Sequence, residues 1–523
     1  MKRLPYLLML ISASCSYVGP EPFSDYVGPQ TAAPWQDESE SASTPSDLLP
    51  PTGPLNLGVE EAVRAALFYN QSLAVETVTP AIRRTFERQL AAVFDPVVSA
   101  SAAYDHERIS GDNINDRTER GLQLDGGASI FLPTGTTIGA DAITQRESPA
   151  GVNDRYATRL GLSMSQALLR GAGEDVNLVP LRQARLDTLI SQYELRGFVL
   201  ALVGQVQVVY WNYTLAQQQI EIFEKSLELA EQQLRDTQER IRIGRLPETE
   251  EAAAQAEVAR RRESLINARS ILATLRVRLL RLVNPPGDTW DRVIVPKDLP
   301  IPPRAQLDDV EAHVRLALRI RPEINQAKLL INRSELEIVR TRNGLLPRLD
   351  LFATLGKSGY AASFGSSAGD LFAEPSYDVL AGVRMEFPPL NRSARAEHDR
   401  SQLTRRQAQE SLDNLRQLVQ VDVREAYIEV QRLGEQVVAT AATQGLQEEV
   451  YRAEVAKYAV GRSTSFLVGQ AQRDLLASQI AHAQAIVGYL NSLVELYRLD
   501  GSLLERLGIS APGAIPPEEA TLY

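Results

Sequence analysis

The chain of 523 residues has a single cysteine, Cys15, so no disulfide within it can brace the fold. Its four histidines, His106, His313, His398 and His482, are scattered, and no pair sits at metal-ligand spacing on one helix; surface or lumen positions are expected for them. A Walker-type phosphate loop, a nucleophile elbow and a Ser/His/Asp constellation are all missing. No residue pattern therefore speaks for an enzyme, a metal or a cofactor. Acidic residues outnumber basic ones, 66 to 55, for a net charge of −11, which argues against a nucleic-acid surface. Beyond the N-terminal leader no apolar run reads as a transmembrane helix. Proline is absent from Leu181 to Leu246, and again between Pro389 and Pro512.

Those proline-free intervals predict helices too long for a compact domain. The first, as one helix at about 1.5 Å per residue, would run on the order of 100 Å. In the second, Leu415, Val419, Val423, Tyr427, Val430, Leu433 and Val437 recur at steps of three and four, one face of a helix. Both rods break at Gly244-Arg245-Leu246-Pro247 and Gly461-Arg462-Ser463-Thr464. Glycine supplies the left-handed residue that ends a helix, and Pro247 or Ser463 suits the start of the next. Each break thus reads as the tip of a helical hairpin whose return helix, about Glu248 to Val283 or Phe466 to Leu499, carries a narrow apolar seam.

The same pattern is written twice. Val59-Glu60 through Leu67 matches Val310-Glu311 through Leu318, and Pro96 meets Pro347, at an offset of 251. Gly161 and Met164 meet Gly382 and Met385 at 221, and Tyr210, Ile243-Gly244-Arg245 and Leu282 meet Tyr427, Val460-Gly461-Arg462 and Leu499 at 217. A duplication follows. The chain divides into a leader (1–14), a tether (15–54), a first repeat (55–305; helix, strands over 96–168, helical hairpin over 175–283), a second repeat (306–505; helix, strands over 347–388, helical hairpin over 392–500) and a tail (506–523).

Within the strand regions Val98, Ala100, Ala102 and Tyr104 alternate with Ser99, Ser101, Ala103 and Asp105, and Leu160, Leu162 and Met164 with Arg159, Gly161 and Ser163. Leu349 to Leu355 and Val379 to Phe387 alternate likewise. One apolar and one polar face suits a membrane barrel with a wet lumen, and a soluble antiparallel sheet alternates in the same way. The first repeat is longer here: Leu122, Leu124 and Ile130, then Ile138, Ala140 and Ala142, flank Leu132-Pro133-Thr134-Gly135. That predicts an additional hairpin, either widening a barrel or capping it. Loops are expected at Gly111 to Thr118 and Ala361 to Asp370.

Lys2 and Arg3, an apolar run from Leu4 to Ile11 and small residues up to Cys15 follow the order of a bacterial export signal. A cysteine at the cleavage point, with no disulfide partner, reads as a lipid attachment site, or else as an incidental residue of a discarded leader. Ser12 stands where a lipobox usually has an aliphatic residue, whereas Ser16 fits sorting to the outer membrane. Residues 19–55, rich in Pro, Ser, Asp and Glu, read as an extended tether.

Val59-Glu60-Glu61-Ala62-Val63 with Asn70, Ser165-Gln166-Ala167-Leu168-Leu169-Arg170-Gly171, Arg321-Pro322-Glu323-Ile324, Leu346-Pro347 and the two Gly-Arg tips together make the chain resemble the TolC-like outer-membrane efflux protein family, over nearly all of residues 55–505. Cys15 with Val18-Gly19-Pro20 is similar to the start of its lipoprotein branch. The resemblance implies an α+β membrane protein: a homotrimer whose protomers share one twelve-stranded transmembrane β-barrel and one periplasmic α-barrel of long antiparallel hairpins. It implies a passive exit duct for small toxic compounds, joined through a periplasmic adaptor to an inner-membrane pump. Strand count supports oligomers independently, because four strands cannot enclose a lumen and open edges are not tolerated in lipid.

By the same resemblance Gly244, Arg245, Leu246, Gly461, Arg462, Ser463 and Thr464 are adaptor-contact residues; as plain turns they need only the glycines. Glu248, Glu250 and Glu251 would ring the periplasmic constriction of a trimer, or simply form an acidic first helical turn. Leu467 and Gln470 stand where relatives often carry acids past the second tip. Tyr210, Trp211, Tyr213 and Tyr427 are expected to pack on the helical seam. The other readings are an outlet for type I protein secretion and a structural envelope lipoprotein without a lumen.

Overall fold

The computed structural model describes residues 49–50, 52–111, 114–148, 155–287, 290–302 and 307–513. Cys15 and most of the tether lie outside the described residues. In chain order the elements are β1 (Leu55–Leu57), α1 (Val59–Tyr69), α2 (Gln71–Ala91), β2 (Val97–Gly111), β3 (Ile114–Phe131), β4 (Thr136–Ser148), β5 (Arg155–Ala167), α3 (Glu174–Asn177), α4 (Val179–Arg242), α5 (Thr249–Val283), β6 (Ile294–Pro296), α6 (Val310–Ile320), α7 (Pro322–Gly344), β7 (Arg348–Ala361), α8 (Phe364–Ala373), β8 (Tyr377–Glu386), α9 (Arg392–Ala459), α10 (Ser465–Leu499) and α11 (Leu503–Arg506). They form two compact units. A helical unit takes the described residues up to Ala81, Gln192–Gln326 and Asn414 onward; a sheet unit takes Ile82–Ser191 and Ala327–Asp413. Each unit draws on both halves of the sequence.

The helical unit has a core built on α4, where Leu195, Val199, Val203, Val206, Tyr210 and Tyr213 follow steps of three and four and are buried, as a one-faced helix requires. α4 is the only described helix long and apolar enough to cross a bilayer, but 56% of that apolar stretch is buried inside the protein. α1 lays Ala62, Val63, Ala65, Ala66 and Leu67 into the same core. Its N-terminus is satisfied by two acids, as orphan helical N–H groups demand: Glu61 accepts from Gly58 N at 2.9 Å and Asp298 from Val59 N at 2.6 Å. Burial of the Glu61 carboxyl works against ionisation, but Lys297, bonded to it, and Gly58 outweigh this and hold it below its usual range.

Sequence pattern does not announce the small parallel sheet beneath α1, in which Leu55, Asn56 and Leu57 pair with Ile294, Val295 and Pro296. Tyrosines of α4 secure it. The Tyr210 hydroxyl donates to Leu57 O at 3.0 Å and that of Tyr213 to Ile294 O at 2.8 Å; burial pushes both phenols up in pKa. One histidine departs from its expected surface place. His313 of α6 is 2% exposed and its Nδ1 lies 2.7 Å from the buried Asp500 carboxylate, a pairing that a carboxylate withdrawn from water needs.

The sheet unit holds one six-stranded antiparallel sheet in the order β2-β3-β4-β5-β7-β8. The additional hairpin supplies β3 and β4, so it stands inside the sheet. Register carries one row across all six strands, Val98–Ala128–Ala140–Leu162–Leu355–Val379. The adjacent row is Ser99–Gly127–Asp141–Gly161–Gly356–Asp378. Successive residues of a strand point to opposite faces, so one face is apolar and the other polar. The apolar row is exposed throughout, with Val98 at 81%, Leu162 at 57% and Leu355 at 50%. On the polar face Arg159 and Asp378 pair at 2.6 Å, and Asp125 accepts from Ser101 at 3.0 Å.

The segment expected as a loop at Ala361–Asp370 contains α8 instead. Ser363 caps it through Ser366 N, its Ser367 bonds to Thr158 at 2.8 Å, and Leu371 is buried. Gly359 of β7 admits it: a Cβ there would lie 2.2 Å from Ser367 O. A sequence of Gly and Ser with little helix propensity becomes helical because the sheet supplies packing.

Candidate functional site at the helical tips

Both helical hairpins turn by the same device. At the first, Gly244 has φ +74° and donates to Ile241 O at 2.9 Å while Arg245 N reaches Arg240 O at 2.8 Å. At the second, Gly461 has φ +74° and donates to Tyr458 O at 3.1 Å while Arg462 N reaches Lys457 O at 2.8 Å. These are Schellman closures, and the left-handed residue favours glycine because a Cβ is disfavoured there. Nothing lies within 4 Å of a Cβ built at either glycine, so only backbone strain opposes a side chain. Gly244→Ala and Gly461→Ala should each cost about 1–2 kcal/mol, whereas Gly445→Ala inside α9, also with open space, should stabilise by roughly 1 kcal/mol. Thermal unfolding of the solubilised protein would check the opposite signs.

The chain brings the two tips together. Ser465, at the start of α10, donates to the Glu250 carboxylate of α5 at 2.6 Å. Arg240 stacks its guanidinium over Tyr458 at 4.4 Å from the ring centre, an attraction of electrostatic origin. Thr464 caps α10 by accepting from Leu467 N at 3.3 Å, and Ser463 donates to Glu454 at 2.7 Å. Lys457, then Ser463, hold the Glu454 carboxyl below its usual pKa. Arg245 and Arg462 are exposed and Leu246 is half-buried.

The three acids after the first tip face different neighbours. Glu250 meets Ser465, Glu251 accepts from Gln238 at 2.9 Å, and Glu248 is exposed. Two turns farther along α5 is a cluster that sequence reading missed. Glu257 takes Arg260 at 2.7 Å and Arg261 at 2.5 Å from its own helix, and Arg473 of α10 at 3.3 Å. Burial pulls the Arg261 guanidinium below its usual pKa despite Glu257. The Glu257 and Arg261 spacing of four was a legible helical pair; nothing in the sequence tied Arg473 to it.

Among the described residues no group of three His, Cys, Asp or Glu side chains is placed to hold a metal. A recess of the helical unit, about 470 Å³, is lined by Asn212, Gln219, Ser270, Thr274, Arg278 and Gln484 among others and holds no facing acid and base. What the tips present is a polar, hydrogen-bonding surface.

Solved structures share the fold. The outer-membrane channel OprN is similar with a TM-score of 0.66 at 17% identity, over 89% of this chain and 97% of that one. CusC gives 0.64 at 17%, over 89% and 99%, and the Campylobacter jejuni CmeC outer membrane channel 0.63 at 15%, over 90% of each. No curated protein sequence matches. The model of the family described as outer membrane efflux protein matches residues 132–284 and 314–502, more than half of the chain. The chain therefore belongs to the outer membrane efflux protein family, whose members are efflux channels and not enzymes.

Proposed function

We propose that three copies of this chain form a passive exit duct in the outer membrane of a Gram-negative bacterium. Their sheets join into one transmembrane barrel, and their helical hairpins into one periplasmic tube. An inner-membrane pump drives small toxic compounds through it by way of a periplasmic adaptor. The adaptor docks on Gly244, Arg245, Leu246, Gly461, Arg462, Ser463 and Thr464. Glu248, Glu250 and Glu251, repeated three times, line the periplasmic constriction, and Cys15 carries the lipid that fixes each copy to the membrane.

The observation that carries this reading is the sheet: its apolar face is bare except where α8 covers Thr158 and Gly359, its opposite face is polar, and among the described residues β2 and β8 each have an unpaired edge. In water the apolar face is unfavourable. In lipid the face is satisfied but open edges are not, since each unpaired backbone group there costs several kcal/mol. Joining copies edge to edge meets both demands. Planar-bilayer recording of the purified protein tests this. A low, cation-preferring conductance that rises severalfold in Ser465→Ala, which frees Glu250, is the expected result. A water-soluble monomer without bilayer activity in either form would refute the proposal.

A further inference from the structure

The hairpin of β3 and β4 interrupts what would otherwise be a single hairpin of β2 and β5. β2 ends at Gly111 and β5 begins at Arg155, both at the end of the sheet where β7 leads into α8. The hairpin of β3 and β4 is therefore an insertion that starts and ends at one rim. We propose that this insertion adds two wall strands per copy, so that the assembled barrel has eighteen strands rather than twelve and admits bulkier solutes. This rests on the channel reading above and goes beyond it.

Three observations place the insertion in the wall and not across the mouth. First, its faces continue those of its neighbours: Ala128 and Ala140 stand in the exposed apolar row between Val98 and Leu162, and Asp125 and Asp141 stand on the polar face. A cap has no reason to keep a lipid-compatible face in register with the flanking strands.

Second, its inner turn is fastened at the opposite end of the sheet, beside α3. Gly135, with φ +86°, lends its carbonyl to Ala167 N at 3.0 Å, and Thr134 lends its own to Gly173 N at 3.1 Å. Asn177 donates to Pro133 O at 2.9 Å, and Phe131 stacks on Phe94 with centroids 5.8 Å apart. Third, parity permits closure. All neighbours are antiparallel, and six strands leave β2 and β8 running in opposite directions, as an antiparallel joint between copies needs.

Strands about 4.8 Å apart and tilted about 40° give a backbone diameter of roughly 24 Å for twelve and roughly 36 Å for eighteen. The cross-section then rises a little over twofold. The polar lining also gains Asp125 and Asp141 from each copy.

Electron cryo-microscopy of the full chain in lipid nanodiscs, counting strands, is the deciding measurement. It should show eighteen strands, and a variant with residues 112–154 replaced by a two-residue turn should show twelve. Polyethylene glycols offered from the barrel side alone should enter the full-chain barrel at sizes that the excised one excludes. A full-chain trimer with twelve strands and the hairpin folded elsewhere would overturn this inference while leaving the channel intact. Absence of any trimeric pore would instead remove the channel reading, and this one with it. If the excised variant fails to fold, the full-chain strand count still decides.

Discussion

Leu162→Arg and Val383→Arg, each made alone, are expected to abolish most assembly into the outer membrane. Leu162 is 57% exposed and Val383 60%; Leu162 stands opposite Leu355, and Val383 opposite Leu351. Both lie on the apolar face, whose proposed solvent is hydrocarbon. An arginine there near mid-bilayer costs about 2–4 kcal/mol. Since each 1.4 kcal/mol is tenfold in an equilibrium, the assembled fraction should fall by roughly thirtyfold or more wherever assembly is reversible. In the proposed trimer three copies multiply the insult.

Ser163→Arg is the internal control. It neighbours Leu162 in the chain but points to the polar face, where Arg159 already pairs with Asp378. The readout is the yield of SDS-resistant trimer in the outer-membrane fraction. Wild-type yields from both Arg variants would mean that this face never meets lipid.

How far such faces could be read from sequence depends on how local their causes are. The alternation of Leu160, Leu162 and Met164 reflects a period of two, and the seam from Leu415 to Val437 a period near 3.6; both survive without tertiary information. Very long helices beside a sheet were legible for that reason. The tip glycines were also legible, because a left-handed residue is a local demand.

What escaped was set by partners distant in the chain. β1 is three residues long, and its pairing with β6 depends on Tyr210 and Tyr213 reaching across from α4. α8 exists because Gly359 and Thr158 receive it. His313 looked like a surface residue until Asp500, 187 positions away, was found beside it. At the candidate site, Gly244 and Gly461 could be named from sequence, but the bond from Ser465 to Glu250 and the bridge from Arg473 to Glu257 join separate hairpins. No periodicity encodes such joins.

The largest functional effect is expected at the tips from the double reversal Arg245→Glu with Arg462→Glu. Both side chains are exposed and follow glycines in identical closures, so reversing their charge leaves the fold's own contacts intact. Trimer yield should stay at the wild-type level. Recognition should not: a hydrogen bond to a charged group contributes about 1.5–3 kcal/mol, and a glutamate in its place also repels whatever carboxylate or carbonyl the arginine met.

Loss of two such contacts per copy predicts a drop in adaptor affinity of at least about a hundredfold, and with it loss of the export phenotype in cells. Adaptor capture by the immobilised trimer, compared at low and moderate salt, is the direct measurement. Salt should weaken wild-type binding if exposed charges carry it, and the double mutant should lack that dependence. Unchanged capture with both charges reversed would show that the glycine turns are merely structural. The adaptor surface would then have to be sought elsewhere on the hairpins.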